Sequence, residues 1–224
     1  AVPIVFDGND VEIEGSYEGV PGKFVIDTGA RQTLMLTSPF VAKNNLHNAS
    51  VKGEEAVTGW GVGGPTTAFV MHGGLLKIGD VDVKGPLVLL TTDKGGANAD
   101  DTLAGNIGGG ILKRFVVTFD YEHNKMYLKP IAGQIADLDT FDRAGMWFNK
   151  DAEGFKIVDV TVKTPAADAG LAKGDIITAV NGKAATSIPL PDMRKLLRNE
   201  EPGRVVTFAV KGKGDVKVTL RDLV

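Results

Sequence analysis

The chain of 224 residues contains no cysteine. Disulfide frameworks, thiolate nucleophiles and cysteine-ligated zinc are therefore excluded. Zero cysteine is compatible with any compartment but suits an oxidising one, so a periplasmic, cell-envelope or secreted location is favoured over a cytoplasmic one. Histidine is scarce. His47, His72 and His123 lie far apart and none falls in a metal-binding spacing, so no metal and no cofactor are expected. Charge of one sign is lacking too: the net charge is -3, which gives no electrostatic case for nucleic acid or an anionic membrane. No apolar run reaches the length of a membrane span. There is no G-x-S-x-G elbow and no P-loop. The three-residue sequon at Asn48-Ala49-Ser50 is of a kind that usually arises by accident. The first residues, Ala1-Val2-Pro3, carry neither an initiator Met nor a signal peptide, which suggests a piece of a longer protein.

What is present is ordinary for a folded protein: 43% hydrophobic and 24% charged residues. Up to about residue 130 the pattern is that of short strands punctuated by glycine, which points to a closed or nearly closed barrel. Strands are expected at Val11 to Tyr17, Lys23 to Ile26, Thr66 to Met71, Leu75 to Ile78, Pro86 to Leu90, Phe115 to Phe119 and Lys125 to Leu128. Glu18 to Gly22 is expected as a turn. One helix is expected near Ser38 to Asn45, with Ser38 as cap and Pro39 in the first turn. The pattern loosens between Pro130 and Asp139, which separates a first domain, 1–135, from a second, 141–224. In the second, strands are expected at Phe155 to Val162, Ile176 to Val180, Val205 to Val210 and Val216 to Leu220. Helices are expected at Pro165 to Leu171 and Asp192 to Asn199. The fold class is mainly β, a barrel followed by a small α+β domain.

The sharpest motif is Phe24-Val25-Ile26-Asp27-Thr28-Gly29-Ala30. An apolar strand runs into a carboxylate whose ionisation is expensive unless it is shared or hydrogen-bonded. Gly29 can donate its N–H to that carboxylate, and Thr28 offers a hydroxyl across an interface. This stretch resembles the active-site strand of aspartic proteases, and the short domain most resembles their retroviral-protease-like, or retropepsin-like, branch. Gly105-Asn106-Ile107-Gly108, leading to Phe115-Val116-Val117-Thr118-Phe119-Asp120-Tyr121, resembles the hydrophobic-hydrophobic-glycine element that packs behind the catalytic strand in that family. The resemblance implies catalysis by Asp27, Thr28 and Gly29, with two aspartates sharing one proton. Arg31 and Gln32 replace the acidic residues that follow D-T-G-A in retroviral enzymes, Thr33 is a candidate support, and the insertion Thr91 to Asp101 has no counterpart.

Only one D-T-G occurs, and one half-site cannot make a dyad. Either two copies of the chain pair symmetrically, or a missing N-terminal half supplies the second aspartate. The abrupt start at Ala1 favours the latter.

Gly59-Trp60-Gly61-Val62-Gly63-Gly64 satisfies G-x-G-x-x-G, but a strand-like run, Thr66-Thr67-Ala68-Phe69-Val70, follows where a dinucleotide site needs a helix. The protease resemblance instead implies a flap that closes over substrate, with Val62 at its tip and Gly61, Gly63 and Gly64 giving it freedom. A plain flexible hairpin is the simpler reading. Trp60 either walls a subsite or pins the base of the hairpin.

The run Thr164-Pro165-Ala166-Ala167-Asp168-Ala169-Gly170-Leu171, then Lys173-Gly174-Asp175-Ile176-Ile177 and Val180-Asn181-Gly182, resembles a bacterial PDZ domain. That resemblance implies that a peptide adds as a strand with its C-terminal carboxylate held by backbone amides. The carboxylate loop would be Ala144-Gly145-Met146, preceded by Arg143. Met146 to Phe148 would receive the peptide, and Met193 and Leu197 would line the pocket or be plain core.

The expected function is an aspartic endopeptidase acting on unfolded or extended peptides, with the PDZ domain binding substrate or regulating access. The alternative is a catalytically inactive protease fold joined to a PDZ peptide-binding adaptor.

Overall fold

A computed structural model of the chain describes residues 1–48, 50–61, 64–135 and 139–224, with Trp60 and Gly61 described as strand backbone. The chain divides into two compact units, residues 1–54 with 67–139 and residues 140–224 with 55–66.

The first part of the chain contains β1 (Val2–Pro3), β2 (Val5–Asp7), β3 (Asp10–Tyr17), β4 (Val20–Ile26), β5 (Leu34–Leu36), α1 (Ser38–Lys43), β6 (Glu54–Gly61), β7 (Gly64–His72), β8 (Leu75–Ile78), β9 (Val81–Lys84), β10 (Leu87–Thr91), β11 (Gly105–Ile107), α2 (Gly109–Leu112), β12 (Phe115–Asp120) and β13 (Lys125–Pro130). A ten-stranded sheet runs β6-β7-β10-β5-β11-β4-β3-β8-β9, with β2 added on β3; a smaller sheet runs β1-β13-β12. The continuous apolar run of β10 is buried at every position, as befits a strand between two neighbours with both faces covered. Phe24, Leu34, Leu36, Leu76, Leu90 and Ile107 are fully buried and form the centre of the core.

The topology matters most at β11. It lies between β4, to which it is parallel (Ile107 opposite Ile26), and β5, to which it is antiparallel (Ile107 opposite Leu34). This threading leaves no room for side chains at two positions. A Cβ at Gly105 would come within 2.1 Å of the Met35 carbonyl oxygen, and one at Gly108 within 2.3 Å of that of Gln32. Glycine is therefore a steric requirement here.

Local expectations shift in several places. The β3–β4 turn is two residues, Glu18 and Gly19, both at positive φ. That is the hairpin geometry matched to strand twist, so strand structure resumes at Val20 rather than Lys23. Ser38 is the first helical residue rather than the cap: Thr37 takes the cap position, and Thr37 Oγ1 and Ser38 Oγ donate instead to the carbonyls of Leu103 and Asp93. Strands β5 and β11 escape a reading by alternation because each is only three residues long.

The second part contains β14 (Met146–Asp151), β15 (Gly154–Val160), α3 (Pro165–Asp168), β16 (Ile176–Val180), β17 (Lys183–Ala184), α4 (Leu190–Asn199), β18 (Val205–Val210) and β19 (Gly214–Thr219). The sheet order is β14-β15-β16-β18-β19, with β17 on β16. In α4, Met193 and Leu197 are one turn apart and both fully buried. Asp192 in the first turn and Arg198 in the last complement the helix dipole. Pro191 sits in the first turn, where its missing N–H costs nothing.

Candidate active site

Asp27 follows directly on β4, an interior strand flanked by β3 and β11, and its own N–H donates to the Ile107 carbonyl at 3.0 Å. The chain then reverses. Asp27 Oδ1 accepts the N–H of Gly29 at 2.8 Å and that of Ala30 at 2.9 Å. The other oxygen, Oδ2, accepts from the Asn106 side-chain amide at 3.1 Å. Three donors on one carboxylate fix its orientation. Asp27 is half-buried, while Thr28 and Gly29 are exposed.

The carboxylate lies on the wall of a cleft of about 560 Å³, within the usual range for ligand sites. Asn106 and Thr28 line it beside Asp27, and Phe119 and Tyr121 contribute an aromatic side. Residues Ala97, Asn98 and Asp100 of the 91–101 insertion line it as well. The insertion is internally braced: Asn98 Nδ2 donates to Asp93 Oδ2 at 2.7 Å, and Thr102 donates its N–H and hydroxyl to Asp100 Oδ1. An element without a counterpart in the sequence reading thus forms part of the cleft wall.

The loop after Asp27 is tied to α2. Gly109 N–H donates to the Ala30 carbonyl at 2.7 Å and Gly110 N–H to that of Gln32 at 3.0 Å. Thr33 is buried, and its hydroxyl donates to Asp139 Oδ2 at 2.6 Å. Asp139 is paired in turn with Lys113 at 3.3 Å.

In the second unit a loop precedes β14. Asp142 Oδ1 accepts from the backbone N–H groups of Ala144 at 3.0 Å, Gly145 at 2.5 Å and Met146 at 3.4 Å. Burial pushes the Asp142 carboxyl up to about 6, against the opposing pull of those amides and of Arg198. Arg143 is held by Asp222 at 2.7 Å and donates to the carbonyls of Arg198 and Glu200 at the end of α4. Gly145 has φ +76, and a Cβ there would lie 2.3 Å from Thr164.

Residues 11–109 match the aspartyl protease family model, and residues 139–220 match that of the PDZ domain. The chain joins an aspartyl-protease domain to a PDZ domain. A probable periplasmic serine endoprotease, DegP-like, of Bartonella henselae is 39% identical over 74 residues, 32% of this chain and 14% of the relative. Among solved structures, a retropepsin-like aspartic protease from Rickettsia conorii is 16% identical, with a TM-score of 0.39 over 54% of this chain and 83% of that one. The serine endoprotease from Yersinia pestis is 18% identical, with a TM-score of 0.37 over 100% of this chain and 67% of that one. The chain thus spans about a seventh of the curated relative's length. The structure is mainly β, with a ten-stranded and a three-stranded sheet in the first part and a six-stranded sheet in the second.

In the protease domain, the residues brought together are Asp27, Thr28 and Gly29, joined by Asn106. Asn106 was visible as part of Gly105-Asn106-Ile107-Gly108, but its side-chain contact with Asp27 depends on the parallel β4–β11 pairing. The residues expected to form the flap fall at the end of β6 and the start of β7. Trp60 and Gly61 end β6 and Gly64 begins β7 at φ +110; Val62 and Gly63 lie outside the described residues. In the PDZ domain, Ala144, Met193 and Leu197 are fully buried, and Met146 and Phe148 nearly so. All five belong to its core. Met193 and Leu197, expected either to line the pocket or to be plain core, are fully buried members of the core cluster. Among the described residues, no helix is long and apolar enough to cross a membrane.

Proposed function

We propose that the protein is an aspartic endopeptidase, with Asp27 as one of two catalytic carboxylates. The observation that carries this reading is the Asp27 carboxylate itself, oriented by Gly29, Ala30 and Asn106 on the wall of an open cleft. In this reaction one ionised aspartate takes a proton from water as the water oxygen adds to the scissile carbonyl carbon. A protonated partner aspartate donates a hydrogen bond to the carbonyl oxygen. The C–N bond then breaks as a proton passes to the leaving amine. The two carboxylates titrate as a unit, and activity is greatest at mildly acidic pH.

The second aspartate comes from another half-site, either a second copy of this chain or an upstream segment. Two features support pairing near the cleft. Thr28 is exposed beside Asp27. Phe6 and Tyr121, both largely exposed, lie with ring centroids 5.8 Å apart, and Tyr121 stacks on Phe119 at the cleft wall. An exposed aromatic cluster at the rim of a site is a surface suited to a partner. Residues 1–135 form the catalytic half-site and 141–224 the peptide-binding domain. The flap, Trp60 to Gly64, covers the substrate. The PDZ domain delivers unfolded or extended chains. The periplasmic assignment in the name of the DegP-like relative, together with the absence of cysteine, supports action outside the cytoplasm.

The test is cleavage of a denatured protein by the full-length wild type and by Asp27→Asn. Loss of cleavage in the variant is expected. Equal activity in the two would sink the assignment and favour the adaptor reading. The mass of this chain in concentrated solution separates the two sources of the second aspartate: a dimer favours self-pairing, and a strict monomer an upstream half.

A further inference from the structure

A PDZ groove that captures a free C-terminus needs vacant backbone amides for the carboxylate and an opening beside them for the last side chain. In this chain both are taken. Asp142 Oδ1 accepts all three N–H groups of Ala144, Gly145 and Met146, so the loop already holds a carboxylate supplied in cis. Arg143, the cation next to the loop, is engaged by Asp222 and by the carbonyls that end α4, and its side chain is only 12% exposed. The side chains at the expected pocket, Ala144, Met193 and Leu197, have no exposed surface. The loop is also pinned from behind: Thr161 N–H donates to the Gly145 carbonyl and Ala166 N–H to that of Ala144.

The adjoining strand is differently placed. β14 is the edge of its sheet and pairs only with β15 among the described residues. An edge strand presents unpaired N–H and C=O groups to an added strand. Arg194 of α4 lies over the ring of Trp147 in β14, 4.8 Å from its centroid. The end of the groove that would receive a terminal carboxylate is thus closed by negative charge, while its length remains a pairing edge.

We infer that the PDZ domain binds internal extended segments of polypeptide along β14, and that Asp142 acts as a resident carboxylate excluding free C-termini. A second carboxylate approaching the Ala144–Met146 amides meets a like charge and finds their donors already used. An internal segment passes the loop without bringing a charge. This inference rests on the PDZ peptide-binding reading of the domain, and it matches a peptidase that must engage unfolded chains away from their ends.

The test is an array of decapeptides, each displayed with a free C-terminal carboxylate and with that end tethered as an amide, probed with the whole chain. For the strongest binders, acid and amide forms are expected to bind within about twofold of each other. In Asp142→Ala the three amides are freed, and the acid form is expected to gain about tenfold or more, the worth of charge-assisted hydrogen bonds. Asp142→Asn keeps an acceptor on the loop but removes the charge, and a smaller gain for the acid is expected. It serves as the second variant if the alanine protein melts. A wild type that prefers free acids about tenfold or more overturns the inference while leaving the PDZ reading intact. An unchanged acid-to-amide ratio in a folded Asp142→Ala also overturns it. Binding to neither display overturns the peptide-binding reading itself.

Discussion

Two carboxylates in this molecule are held by nearly the same local device. Asp27, in Asp-Thr-Gly-Ala, accepts the N–H groups two and three residues ahead. Asp142, in Asp-Arg-Ala-Gly, accepts those two, three and four residues ahead. In both, a short side chain folds onto its own following backbone, a habit of aspartate at turns. The difference lies beyond the turn. The second oxygen of Asp27 is met by Asn106 from a neighbouring strand, beside an open cleft. Asp142 sits where desolvation dominates and raises its carboxyl to about 6, in a loop that leads into the buried Ala144 and Met146. One turn presents its carboxylate to a cleft; the other spends it on its own loop amides. Local motif alone does not separate a carboxylate on a cleft wall from one tied up in its own loop.

The comparison is sharpened most by Asp27→Asn. In the complete enzyme, proteolysis is expected to fall by about three orders of magnitude or more, as befits loss of a group acting in the transition state. Melting of the PDZ domain should not move. If Asp27→Asn shifted stability but spared activity, the two carboxylates would share one structural role.

Next in size is Gly145→Val. The residue sits at positive φ with Thr164 where a Cβ would go, so about 2–4 kcal/mol of destabilisation is expected by denaturant titration. Gly29 provides the contrast. It is exposed, and a Cβ there would meet only Asp27 Oδ1, at 3.3 Å. Gly29→Ala should therefore fold and show its cost in catalysis.

A smaller effect is expected from Asn106→Leu. It removes the amide on Asp27 Oδ2 and should lower kcat about 10- to 100-fold with a modest change in KM. Asn106→Gln or Asn106→Ser should recover part of the loss if the amide's role is to position the carboxylate. A change in stability alone, with kcat untouched, would remove Asn106 from the site.

The smallest effect concerns pH. The Asp142 carboxyl is raised from 3.8 to about 6 on folding, so between those values the folded state binds more protons than the unfolded one. Its contribution to stability is then fully present below pH 4 and lost as pH rises through about 6. The charged groups beside it are Arg198, whose charge pulls the Asp142 pKa down, and the Arg143–Asp222 pair. Asp142→Asn should flatten this part of the stability profile and raise Tm at pH 7 by about 2–4 °C. An unchanged profile would mean that Asp142 ionises in the loop without cost.

Much of both units was legible in the sequence, for identifiable reasons. Alternation over longer strands such as β3 and β12, the turn glycines, and Pro191 with Asp192 at the start of α4 are local signals. The Thr164 to Gly182 run marks the PDZ domain because many small and turn residues must recur at fixed spacing. The strand-to-turn character of Ile26-Asp27-Thr28-Gly29 is equally local, and with it the Gly29 amide on Asp27. The Asp142 turn was open to the same kind of reading, since aspartate commonly bonds amides a few residues ahead. It was masked by the expectation that those amides wait for a ligand.

By itself, then, the sequence determined the β character of the barrel, the PDZ scaffold and the carboxylate–amide turn at Asp27, because each depends on residues within a few positions of one another. Only the tertiary structure decided the rest. It brought Asn106 to Asp27 across 79 positions and Asp139 to Thr33 across 106. It put the 91–101 insertion in the cleft wall and buried Met193 and Leu197 completely. The physical reason is common to all four. Which side chains meet is set by strand register and by the packing of whole elements, and those depend on the fold as a unit rather than on neighbours along the chain.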